Sequence, residues 1–148
     1  MKVEKYQLKS ESNLTTFEFI SEGPRGLIRK KIQFQWTRTP NLYNLAFGDT
    51  NPETGEIDDM VVSNNADSEK VLATVISAVY AFFDKRPGAY VYATGSSDAC
   101  TQLYKTGITK FYEQIMNDFY LNGQVGDEFY DFEDGTEYNG FLAQRKFK

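Results

Sequence analysis

Six carboxylates lie between Phe47 and Asp67: Asp49, Glu53, Glu56, Asp58, Asp59 and Asp67, with Asn51, Asn64 and Asn65 among them. Paired carboxylates can hold Mg²⁺ or another divalent cation and, through it, position substrate phosphates. Asp49, Asp58 and Asp59 are the candidate ligands for that chemistry. If Thr50–Gly55 is a hairpin loop, Asp49 and Asp58 face each other across its base. Like charges so placed repel, and solvent, backbone N–H groups or a cation must offset them. The alternation Asp49, Asn51, Glu53 resembles a calcium loop, but the sixth position is Thr54 instead of Gly and the twelfth is Met60 instead of Glu, so that motif is rejected. Asn-Pro-Glu-Thr-Gly is also ordinary turn chemistry, in which Asx side chains bond the turn backbone. The turn is the preferred reading, and a metal-assisted enzyme acting on a phosphate-containing substrate is the alternative.

Three further groupings could carry function. Arg25, Arg29, Lys31 and Arg38, with Gln33 and Gln35, make a polar, basic stripe on one strand and its turns. Beside Phe34 and Trp36 it suits single-stranded nucleic acid, which is held by basic grooves and aromatic platforms. Strand alternation nevertheless puts Phe34 and Trp36 on the face opposite Arg29 and Lys31, where core is expected. Gly95, Ser96 and Ser97 precede a helix and could offer N–H groups to an anion. They lack the remaining Walker residues, and Asp98 adds negative charge, so helix capping competes. Ser63–Asp67 precedes another helix and is expected to cap it, with Asp67 at the N-cap.

Histidine is absent and cysteine occurs once, at Cys100. A Ser-His-Asp or Cys-His nucleophile therefore cannot be assembled. Neither can a zinc site of imidazoles and thiolates, nor an internal disulfide framework. Catalysis would have to use carboxylates, Lys, Tyr or a bound cofactor. No catalytic residue and no cofactor is assigned.

The elements that position these groups follow from hydrophobic period. Thr15–Ser21 reads as a strand, and Glu22–Gly26 as a hairpin turn. Leu27–Trp36 alternates with period two: Ile28, Ile32, Phe34 and Trp36 share one face, with Lys30 the polar exception. Tyr43–Asp49 and Glu56–Val62 are the third and fourth strands. The period then changes. Val71, Leu72, Val75, Ile76, Val79, Phe82 and Phe83 mark a helix face, which Pro87 and Gly88 end. Ala89–Ala93 is a short strand. A second helix opens at Gly95–Asp98, with Gly107 a candidate break. Aromatic strands divided by Gly123, Gly126, Gly135 and Gly140 complete the chain.

At 148 residues, 41% hydrophobic, the chain fits one globular domain, with residues 1–13 expected to be loosely ordered. Twelve Phe and ten Tyr bring the aromatic content to 16%, so much of the core is ring. The net charge of −5 is uneven. Residues 1–45 carry eight basic and four acidic side chains, and residues 46–148 carry eight and seventeen. That acidity opposes phosphate binding at long range. No apolar run approaches the ~20 residues of a membrane span, and the first residues lack the apolar stretch of a secretory signal. A cytoplasmic protein without membrane contact is expected.

The segments Thr16–Gly26, Tyr43–Asp49, Gly55–Asp59, Ser63–Asp67 and Val71–Val75, with Gly95–Ser97 followed by Leu103 and Tyr104, resemble a family of small uncharacterised bacterial proteins found mostly in Bacteroidetes. The resemblance spans nearly the whole chain and implies a bacterial, single-domain protein with no assigned activity. In that family an Arg often follows the Gly-Ser turn, where this chain has Cys100 and Gln102, which weakens an anion role there. Four strands and then a helix also resemble the element order of the Whirly type of single-strand-binding protein, a likeness of fold order alone.

The expected fold is α+β: a twisted, largely antiparallel sheet, a four-strand meander followed by helix, strand, helix and C-terminal strands, with two helices on one face. The expected function is a non-catalytic binding or interaction module. Its partner would be single-stranded nucleic acid on the sheet face, or another protein.

Overall fold

The structure, a computed structural model, describes residues 4–58, 65–94 and 98–146. Their order is β1 (Lys9–Ser10), β2 (Thr16–Gly23), β3 (Gly26–Trp36), β4 (Leu42–Thr50), β5 (Ile57–Asp58), α1 (Ser68–Lys85), β6 (Tyr90–Ala93), α2 (Asp98–Lys110), α3 (Tyr112–Asp118), β7 (Phe119–Val125), β8 (Glu128–Asp131) and β9 (Gly140–Arg145). All the strands join one sheet in the order β1-β2-β3-β4-β6-β9-β7-β8, with β5 beside β4. The fold is α+β, and every described pairing is antiparallel except β4–β6. A parallel neighbour requires a crossover, and α1 lies within it. Strand β4 has two neighbours on that edge: β6 beside Leu42–Leu45 and β5 beside Asp49 and Thr50.

The period-two pattern of β3 sets its register. Ile32 pairs with Phe17 and Phe47, and Phe34 pairs with Leu45, so apolar side chains line up across strands on one face. Helix α1 seals that face. Phe82, fully buried, stacks on Phe34 at 4.2 Å between ring centroids and 10° between planes. Its neighbour Phe83 meets Phe119 of β7 at 5.3 Å. The core is therefore a chain of rings joining helix to sheet, as the Phe and Tyr content implies.

Several expectations change. Trp36 is not core: it is 58% exposed, and its indole N–H donates to the Thr39 carbonyl at 3.1 Å. Its parity was right, but it stands at the end of β3. The helices on the covered face number three among the described residues, because the second helical stretch divides at Phe111 (φ −110°, ψ 29°). Gly107 does not break α2; it brings α2 against α1, where a Cβ would lie 2.9 Å from Leu72 Cδ2. Ahead of β1, the chain meets the core at Tyr6. Tyr6 stacks on Phe19 at 5.5 Å, and its N–H donates to Thr74 Oγ1 at 2.8 Å. On β7, the Tyr138 ring lies over Gly123, where a Cβ would come within 2.3 Å.

Candidate functional site

Lys30 occupies an apolar position by alternation, and burying an ammonium there is costly without a partner. Strand pairing supplies one. Lys30, Asp49 and Asp58 are register partners in one row across β3, β4 and β5. Lys30 is 1% exposed, and its Nζ donates to Asp49 Oδ1 at 2.6 Å. Asp49 and Asp58 do face each other, as the hairpin reading requires, and the cation between strands is a side chain of the protein itself. Asp59 lies outside the described residues. Among the described residues, no group of three or more His, Cys, Asp or Glu side chains is placed to hold a metal ion. A divalent cation at Asp49 and Asp58 would have to compete with the Lys30 ammonium.

The loop after β4 is tied down by turn bonds. Asn51 Oδ1 accepts from the Glu53 N–H at 2.8 Å, and the Gly55 N–H donates to the Asn51 carbonyl at 2.8 Å. Gly55 has φ +75°, the left-handed region that favours glycine.

Asp67 stands at the N-cap of α1 but makes no capping hydrogen bond with its side chain. Its carboxylate instead accepts from the hydroxyls of Tyr6 and Ser21, both at 2.5 Å. Burial first, and then the bond to Asp67, raise the Tyr6 phenol above its ordinary value. Asn65, 1% exposed, holds the β2–β3 turn: its amide donates to the Gly26 carbonyl at 2.9 Å, and its oxygen accepts from the Arg25 N–H at 2.7 Å. The polar residues before α1 thus pin the N-terminal segment and the first hairpin to the helix start. Gly95, Ser96 and Ser97 lie outside the described residues.

The face of the sheet opposite the helices carries the other candidate site. By register, Gln35, Asn44, Tyr92, Leu142, Asn122 and Asp131 form one row across six strands. Tyr90, Gln144 and Tyr120 form the adjacent row. Strand spacing puts Tyr90 and Tyr120 ~10 Å apart. Tyr90, Tyr120 and Phe129 are 39%, 57% and 44% exposed. Tyr92 meets Phe129 edge to face at 6.2 Å and donates to Gln124, its ring side crossing Gly140. No described helix packs on this face.

The basic stripe lies at the β2–β3 end of the same face, and much of it is already engaged. Arg29 pairs with Glu18 at 3.5 Å, and Lys31 donates to the Gly55 carbonyl at 2.6 Å. Gln35 donates to Gln33 at 2.9 Å. The exposed Arg25 and Arg38 sit in the turns that flank β3, with φ +74° at Arg38. A further cation follows β9, where Lys146 Nζ donates to the Met116 carbonyl at 2.7 Å and stands 5.3 Å from the Tyr120 ring centroid. The basic stripe and the aromatic rows therefore share a face. The aromatics on it come from β6, β7 and β8, not from Phe34 and Trp36. The alternation of Tyr90 and Tyr92 with Ala89, Val91 and Ala93 was the available signal; which set the helices cover was not.

Among the described residues, no helix is long and apolar enough to cross a membrane. No curated protein and no solved structure matches the chain. The match that does cover it runs from residue 2 to residue 146, and by it the chain belongs to DUF6934, a family of unknown function.

Proposed function

We propose that the protein is a non-catalytic binding module whose uncovered sheet face takes single-stranded nucleic acid. The observation that carries this reading is the set of exposed rings, Tyr90, Tyr120 and Phe129, on the face that the helices leave open. Rings on a sheet accept unpaired bases by stacking, which tolerates sequence because every base has a π-face. The amide of Gln144 stands between Tyr90 and Tyr120, those of Asn44 and Asn122 lie in the adjacent row, and all three can bond base edges. Arg29 and Lys31 on β3 and Lys146 after β9 supply the cations a phosphate backbone requires. Because Arg29 is paired with Glu18, Lys31 and Lys146 are bonded to backbone carbonyls, and the chain is acidic overall, the binding is modest and falls with salt.

Fluorescence anisotropy with mixed-sequence single-stranded DNA and RNA at low salt tests this. Tyr90→Ala and Tyr120→Ala each remove a stacking surface worth about 1–3 kcal/mol, a loss of roughly fivefold to a hundredfold in affinity. Arg29→Ala with Lys31→Ala lowers the salt slope. Absence of binding at low salt, or binding indifferent to both tyrosine variants, rejects the reading.

A further inference from the structure

A cavity of about 110 Å³ lies between the helices and the sheet, on the side opposite the proposed nucleic-acid face. Among the described residues, Tyr104 is the one lining residue with a polar side-chain atom; the others are aliphatic, Phe or Gly. The void has a cause in the sequence. Ala93 and Ala143, on the paired strands β6 and β9, present short side chains to the helices.

The helices are tied to one another at both ends. At one end Gly107 lies against Leu72, and Lys110 pairs with Glu69 at 3.1 Å. At the other, the Tyr80 hydroxyl donates to Asp118 at the end of α3. These contacts fix α1 against α2 and α3 above the two alanines. Ile76 and Val79 of α1 and Ile108 of α2 line the cavity while remaining half-buried. They give it a route to the surface between the helices.

We propose that this cavity is a binding site for a small, uncharged apolar molecule of about the size of benzene. An apolar void of roughly 150 Å³ in another protein stays dry and takes benzene or xenon, and this one is of the same order. Lining atoms that face a void lack partners on one side, and a fitting guest restores those contacts. The lining offers no counter-charge among the described residues, so the site discriminates against ions. It is independent of the nucleic-acid reading, since it lies on the other side of the sheet.

The test is a titration of the full chain with benzene and, in parallel, with benzoate, followed by methyl NMR. Benzene is expected to give saturable shifts at Leu72, Val75 and Leu121, with benzoate at least tenfold weaker. Ala143→Leu fills the space from β9 and is expected to weaken benzene binding at least tenfold. Val79→Phe fills it from α1 and gives the same readout should Ala143→Leu fail to fold. Non-saturable shifts, shifts centred on the opposite face at Leu142, or full affinity in a folded filled variant would overturn the proposal.

Discussion

Replacing Lys30 by Met tests the row that joins β3, β4 and β5. Methionine keeps the apolar stem and removes the ammonium, so the packing change is small. Asp49 then faces its register partner Asp58 without the Lys30 ammonium. Directly opposite residues hold their Cβ atoms ~5 Å apart. The carboxylates extend beyond Cβ, and like charges ~5–7 Å apart in an effective dielectric of ~20 repel by about 2–3 kcal/mol. Removing one partner of a buried ion pair costs ~3–5 kcal/mol by itself. The Asp49 side chain is 12% exposed and Asp58 is half-buried, so solvent screens part of each effect. The expected loss is about 3 kcal/mol, read as a lowered urea midpoint at pH 7 with unchanged slope.

Two controls separate charge from packing. Adding Asp49→Asn to the Lys30→Met chain removes one of the facing charges and should recover at least half of the loss. Mg²⁺ should stabilise Lys30→Met by mass action and leave the parent unchanged. A loss below ~1 kcal/mol, or a double variant no more stable than Lys30→Met, would refute the reasoning. A Mg²⁺-dependent shift of the parent that vanishes in Asp58→Asn would favour the metal-assisted enzyme instead.

Two other outcomes are expected. Phe82→Ala, which removes a fully buried ring stacked on Phe34, should cost ~3–5 kcal/mol in denaturant unfolding; a loss below ~1 kcal/mol would show that α1 does not seal the sheet. Tyr80 is pushed up from 10.0 to about 12, by burial first and then by its bond to Asp118. The folded state therefore keeps a proton that the unfolded chain loses, so this contribution is intact below pH 10 and falls between pH 10 and about 12. Tyr80→Phe should flatten the melting temperature over that window, and parallel curves for the two proteins would count against the assignment.

Much of the fold is legible in local pattern. Period two from Leu27 to Trp36, the Glu22–Gly26 turn and the helical spacing from Val71 to Phe83 each reflect one face meeting one layer. Those elements appear as β3, the β2–β3 hairpin and α1. The pairing of Asp49 with Asp58 was readable too, because a short hairpin fixes its register. Trp36 was misread because alternation reports which way a side chain points, not how far the covering layer extends. Asp67 stands at the N-cap as expected, but its side chain and that of Asn65 bond elsewhere, because Tyr6, Ser21 and the first hairpin compete for the same atoms from far along the chain.

The sequence by itself determined the element types, the α+β class and the absence of histidine chemistry, since these depend on residue identity and short-range spacing. Only the tertiary structure decided what the polar groups do. It put the Lys30 ammonium against Asp49, spread Tyr90, Tyr120 and Phe129 over an uncovered face, and left a void above Ala93 and Ala143. Each of these depends on partners brought together from separate strands and helices, and strand order and layer contact are not written in any local period.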